Sequence, residues 1–231
     1  EQHIAENVWL NSRDDAVLHA RHMLTLEAVP HKQIVNRLLE PFMYITVLVT
    51  STDFDNWFHL RHHEEAQPEI RDLAANMRVL YETNRPRFLN NGEWHLPYVR
   101  TSDIITYRSA SRIPQSYNDM SENMFLQRLS VARCARVSYL THGGKEPSVT
   151  NDLTLYDRLV GSSPLHASPA EHQASPDTWK QTRGTEPKYD NCELHGNFTG
   201  WIQYRKTLPG ECYKKPKPVN TPINIFRSNT Y

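Results

Sequence analysis

Met43-Tyr44-Ile45-Thr46-Val47-Leu48-Val49-Thr50 is the stretch on which the fold turns. It is rich in β-branched residues, which suit a pleated surface. A short apolar run reads equally well as part of a buried helix, because periodicity alone does not separate the two. Either reading expects these side chains to be buried, and the strand reading supplies a sheet.

Around it the pattern is mostly helical. Ile4 to Leu26 carries Ile4, Val8, Val17, Ala20 and Leu24 at helical spacing, with Pro30 ending the run. A short helix from Gln33 to Leu39 stops before Pro41, since a residue preceding proline is pushed out of the helical region. Asp53 is placed to cap a helix reaching Arg61. Pro68, a favoured first position, opens another with Ile70, Leu73, Met77, Leu80 and Tyr81 as its stripe. Asn84 to Pro114, broken by Pro86, Asn91-Gly92 and Pro97, reads as loops and short extended pieces. Helices follow from Ser121 toward Ala135 and from Asn151 to Val160, the second ended by Gly161. Beyond Ser162 the chain is mostly loop, apart from an aromatic segment over Asn197 to Tyr204. No internal repeat is present. The expectation is one α/β (α+β) domain over residues 1–231, a central sheet flanked by helices with long loops. Residues 213–231, with Lys214-Lys215-Pro216-Lys217-Pro218, read as a surface tail.

Composition narrows the function. At 38% hydrophobic and 23% charged, 231 residues suffice for one substantial core or two small ones. Lys plus Arg equals Asp plus Glu at 26 each, so no global field draws the chain to nucleic acid or to a membrane surface. An anionic ligand must therefore be held by a local arrangement of arginines. Cys134, Cys192 and Cys212 are few, odd in number and widely spaced, and read as thiols of a reducing compartment. No apolar run approaches the roughly 20 residues of a membrane span, and no signal peptide opens the chain. The expected location is the cytoplasm.

Three segments carry candidate chemistry. In Asp53-Phe54-Asp55-Asn56-Trp57-Phe58-His59-Leu60-Arg61, followed by Ala66-Gln67-Pro68-Glu69-Ile70-Arg71, the bland reading is a solvated helix face. The sharper one has Arg61 donating paired hydrogen bonds to an anion or a pyrimidine edge. In Cys134-Ala135-Arg136-Val137-Ser138-Tyr139, an ordinary helix end competes with a hydroxyl and guanidinium set for a cofactor phosphate. In Ser163-Pro164-Leu165-His166-Ala167-Ser168-Pro169-Ala170-Glu171-His172-Gln173, the two histidines lack metalloprotease spacing and a third ligand, so no metal is expected.

Together these segments resemble the flavin-dependent thymidylate synthases. Asn56 to Arg61 with Ala66-Gln67-x-Glu69-Ile70 is similar to that family's Asn-rich helix and Ala-Gln-x-Glu-Ile signature. Ala135-Arg136-Val137-Ser138-Tyr139 is similar to its Ala-Arg-Val-Ser-Tyr segment. His166 to His172 resembles its His-x-Ser/Thr-Pro-Phe-Glu-His loop, with Ala170 replacing the usual Phe. The segments run in the order of a phage-type branch, in which stretches similar to His31–Pro41 and Asn197–Lys206 also recur. The family's Arg-His-Arg flavin motif has no counterpart here; Arg61-His62-His63 aligns elsewhere, and in that branch the motif precedes the first helix.

The resemblance implies methylation of dUMP to dTMP, with methylenetetrahydrofolate as one-carbon donor, FAD as cofactor and NADPH as reductant. Arg61 would be catalytic, polarising the uracil, and Arg37 and Arg61 would bind the nucleotide. Asn56, Ser138, His166 and Ser168 would bind the cofactor. Family sites form between subunits of a homotetramer. Two alternatives follow: a non-catalytic or split subunit that needs a partner chain to hold flavin, and a pyrimidine-nucleotide hydroxymethylase of the same fold.

Overall fold

The computed structural model describes residues 1–109, 113, 115–117, 119–137, 148–180 and 188–212. The chain divides into two compact units, Glu1–Val47 and Leu48–Tyr231. The expected surface tail at 213–231 lies outside the described residues.

The first unit holds two helices, α1 (Gln2–Met23) and α2 (Lys32–Arg37), and a 3₁₀ turn at Glu40–Phe42. His31 Nδ1 accepts the Gln33 N–H at 3.4 Å and starts α2. Trp9 and Phe42 meet with ring centroids 4.9 Å apart. Only Ala20 and Val35 are buried, while Ile4, Val8, Trp9 and Leu18 stay exposed. Of the expected stripe of α1, Ala20 is buried and Val17 half-buried, while Ile4, Val8 and Leu24 stay exposed.

Met43–Thr50 overturns its expectation. It is neither strand nor helix, and Tyr44 and Ile45 are 103% and 82% exposed. β-Propensity measures fit to a half-buried pleat, and a strand forms only against a partner. No described residue ladders with this segment.

The second unit contains the larger core. Asp53 Oδ1 accepts the Asp55 N–H at 2.7 Å at the start of α3 (Asp55–Arg61), and Pro68 opens α4 (Pro68–Thr83). The helix at α4 is as expected, but its face is not: Ala74 is fully buried, whereas Leu73 and Leu80 face outward. Helix α5 (Thr101–Ser109) occupies the middle of the expected loop region. Ser121 Oγ accepts the Met124 N–H at the start of α6 (Glu122–Arg136), and Ser148 Oγ accepts the Asn151 N–H at the start of α7 (Val149–Val160). The second helix ends at Gly161, as its sequence predicts.

Helix α6 is the hub. Phe125 and Leu129 pack with Leu153 of α7, while Val131 and Ala132 pack with Tyr156 and Tyr204. The class is mixed α+β. Its sheet, expected to be central, consists among the described residues of two antiparallel pairs. Strand β1 (Ala174–Pro176) pairs with β4 (Trp201–Gln203), in register Ala174↔Gln203 and Pro176↔Trp201. Strand β2 (Trp179–Lys180) pairs with β3 (Lys188–Tyr189).

Candidate functional site

Buried charge organises the junction of α5, α6 and α7. Arg133 directs Nη1 and Nη2 at Asp103 (2.6 and 2.8 Å) and Nε at Asp152 (2.9 Å). Its Nη1 also reaches the Tyr98 carbonyl at 2.7 Å. Tyr98 sits at φ 63°, a region that bulky residues rarely enter. Burial alone pushes the Asp103 carboxyl up, yet hydrogen bonds from Arg133 and the Arg100 N–H hold it below the usual range. The pairing is therefore ionic, with most donors satisfied.

That network aims a second guanidinium. Arg136, one turn further along α6, donates Nε–H to the other Asp152 oxygen at 2.9 Å, and Nη2 lies 3.2 Å from the Asn151 carbonyl. Arg136 forms one wall of a cleft of about 1160 Å³. Helix α7 lines the cleft through Asn151, Thr154, Leu155, Arg158 and Leu159, all on one face at i, i+3, i+4, i+7 and i+8. Arg158 lines the cleft and enters no hydrogen bond or ion pair among the described residues.

The loop after α7 closes the cleft with Ser162, His166, Ser168, Pro169, Glu171 and His172. The His166 N–H bonds the Leu159 carbonyl at 3.0 Å, which ties the loop back to the helix. His172 Nδ1 stands 3.0 Å from Thr50 Oγ1. Burial holds the His172 imidazole below its ordinary range; Glu171 opposes this and His95 adds to it. The imidazole is thus a neutral hydrogen-bonding group at neutral pH. Glu171 is itself paired with Arg205. Burial pushes the Cys134 thiol, at the cleft's edge, up to about 11. It stays protonated at neutral pH and is a poor nucleophile.

Among the residues expected from sequence, His166 and Ser168 meet in this cleft, together with Arg136 of the Ala-Arg-Val-Ser-Tyr segment. Ser138 lies outside the described residues. Asn56 and Arg61 are exposed on α3 and do not line this cleft. Arg37 is exposed at the end of α2, in the first unit. Sequence reasoning missed Arg158, Asp152 and Thr50. The helical spacing of α7 points to Arg158, whereas nothing local marks Asp152 as the anchor of two arginines. Among the described residues no three His, Cys, Asp or Glu side chains are grouped to hold a metal ion.

The chain matches no protein-family model, no curated protein and no solved structure.

Proposed function

We propose that this chain is a flavin-dependent thymidylate synthase, methylating dUMP to dTMP with methylenetetrahydrofolate as one-carbon donor and NADPH as reductant. One observation carries the reading. Two segments about thirty residues apart, Ala135-Arg136 and His166 to His172, converge on one cleft that Arg158 also lines. Those are two of the three segments on which the resemblance rests.

The cleft suits a flavin dinucleotide. Its volume of about 1160 Å³ lies just above the range of roughly 300–1,000 Å³ for small-molecule sites, which leaves room for a dinucleotide. Leu155, Leu159 and Pro169 offer apolar walls for a ring system. Arg158 and the remaining Nη1 of Arg136 would supply donors for a diphosphate, and Ser168 lines the same cleft. His172, neutral and tethered to Thr50, would take a hydrogen bond without adding charge. Bound FAD supplies the redox chemistry, relaying from NADPH the hydride that turns a methylene into a methyl group. The chain's own part is to bind and orient, with Arg61 polarising the uracil ring and Arg37 holding the nucleotide.

A second chain fits the same reading. Asn56 and Arg61 do not line this cleft, and the first unit leaves Ile4, Val8, Trp9 and Leu18 exposed. Both features favour a site completed by self-association, as in a homotetramer, or by a partner chain carrying a flavin-binding segment.

The test is the visible absorbance spectrum of the purified chain with FAD and dUMP, followed by NADPH. A bound-flavin spectrum that bleaches is expected. Arg158→Gln should weaken flavin binding by about 10- to 150-fold, the equivalent of one charge-assisted hydrogen bond of about 1.5–3 kcal/mol. A folded chain that binds no flavin, alone or with a partner carrying Arg-His-Arg, overturns the assignment. Mass spectrometry of the product separates methylation from hydroxymethylation.

A further inference from the structure

Asn91-Gly92 is the single Asn-Gly pair in the chain, and the turn that holds it takes no part in the candidate flavin cleft. The Glu93 N–H closes the turn on the Asn90 carbonyl at 3.0 Å. Gly92 sits there at φ 85°, a conformation that costs glycine nothing sterically. Asn90 is committed: its N–H and Nδ2 meet the Glu93 carboxylate at 2.7 and 3.1 Å. Those bonds hold the Glu93 carboxyl below its usual range. Gly92, Glu93, Trp94 and His95 also line a second cleft of about 980 Å³, so the turn forms part of its wall.

The carboxamide of Asn91 has none of its neighbour's ties. Asn91 is exposed, as is Gly92, and its side chain makes no hydrogen bond among the described residues. The Gly92 N–H donates to no acceptor among them either. A Cβ built on Gly92 would meet nothing within 4 Å, so that side of the dipeptide is open. Every other asparagine in the chain precedes a residue that carries a Cβ. Such a side chain crowds the approach of the next peptide nitrogen to the asparagine carbonyl, and glycine does not. An electrophilic carbon and a nucleophilic nitrogen are therefore adjacent, exposed and uncommitted at this one place.

We propose that Asn91-Gly92 is a self-modifying site, which deamidates through a cyclic imide and so changes the charge and length of the turn beside the second cleft. The Gly92 nitrogen gives up its proton and attacks the Asn91 side-chain carbonyl carbon. A carbon–nitrogen bond forms there, the bond to the side-chain nitrogen breaks, and that nitrogen leaves as ammonia with the proton. Water then opens the imide ring, and nothing is oxidised or reduced. Opening at the side-chain carbonyl leaves aspartate. Opening at the main-chain carbonyl leaves isoaspartate, with the peptide running through the former side chain. Either product places a new carboxylate next to Gly92 and close in sequence to Glu93. Isoaspartate also inserts a methylene between the Asn90 carbonyl and the Glu93 N–H that close the turn. The reaction needs neither flavin nor nucleotide, so it stands apart from the proposed function.

Peptide-resolved mass spectrometry tests it on the full folded chain, incubated in mildly alkaline buffer made with oxygen-18 water. Exposed turns open locally at almost no cost, so conversion at Asn91 is expected within about tenfold of its rate in the urea-unfolded chain. The rate should rise with pH, because the attacking nitrogen must lose its proton. Aspartyl and isoaspartyl peptides should both appear, each carrying a single heavy oxygen at position 91. Asn91→Gln, which would have to close a larger ring, should remove the mass gain and unfold at the wild-type urea concentration. Three results would each overturn the proposal: an Asn91 that stays intact in the folded chain while it converts in urea, aspartate formed without isoaspartate, or another asparagine of the folded chain converting first.

Discussion

Arg136 donates its Nε–H to Asp152 Oδ1 at 2.9 Å, and the carboxylate that receives it has no exposed surface. The other oxygen of Asp152 takes Arg133 Nε at the same distance. One buried carboxylate thus ties the core of the larger unit to the arginine that faces the candidate flavin cleft. Removing one partner of a buried ion pair is costly because it strands the other charges, typically by about 3–5 kcal/mol. Asp152→Asn is expected to destabilise the chain by that order in urea unfolding, and to weaken flavin binding by releasing Arg136. A change below about 1 kcal/mol would show that water reaches this pair.

Tyr156 and Tyr204 share a buried hydroxyl–hydroxyl hydrogen bond of 2.8 Å where the second core cluster meets the turn after β4. Either Tyr→Phe change leaves one buried hydroxyl without its partner, at a cost of about 1–3 kcal/mol. Removing both hydroxyls removes the need for a partner. The double variant should therefore lose clearly less than the two single losses combined, which a double-mutant cycle reads directly. Strict additivity would mean that each hydroxyl has another partner.

What could be read from the sequence is what short-range chemistry fixes. Ser121, Pro68 and Gly161 mark helix ends through backbone groups only a few residues away, and each does so in the structure. The Ser148 cap, ahead of the expected start at Asn151, was missed. Helix α5 was hidden because its order comes from far along the chain, through Asp103 on Arg133 thirty positions away. Strand β1 was hidden for the same reason, since three residues become a strand only opposite Trp201–Gln203. Met43–Thr50 misled in the other direction, its composition asking for a partner strand that no described residue provides. In the candidate cleft, the His166 loop and Arg136 were legible as short motifs. Arg158 was recoverable from helical spacing, and Thr50, 122 positions from the histidine it meets, was not.

His172 links stability to pH. Burial holds its imidazole below the ordinary value, with Glu171 opposing and His95 adding to the depression, and His95 is itself lowered by burial and by Arg87. The unfolded chain therefore takes up these protons first as pH falls. The resulting stability is fully present above the unfolded value of about 6.5 and is lost as pH falls through the folded values. Urea midpoints should drop on moving from pH 7.5 to 5.5. His172→Gln should flatten part of that drop, with the remainder belonging to His95. An identical pH slope in wild type and variant would rule out the depressed imidazole.

Arg61 separates a ligand-binding role from a structural one. It is exposed on α3 and makes no hydrogen bond or ion pair among the described residues, so the fold has little use for its guanidinium. Substitutions at such surface positions usually change stability by no more than about 0.5 kcal/mol. Arg61→Ala should therefore unfold at the wild-type urea concentration. If Arg61 polarises the uracil as proposed, the same variant loses a charge-assisted hydrogen bond of about 1.5–3 kcal/mol, equivalent to roughly 10- to 150-fold. Because the bond strengthens as charge builds on the ring, the loss should fall on kcat at least as much as on KM. Arg61→Lys keeps the charge but not the fork, and should recover only part of the activity. Full activity in Arg61→Ala, measured in the assembly that binds flavin, would return this arginine to the solvated surface.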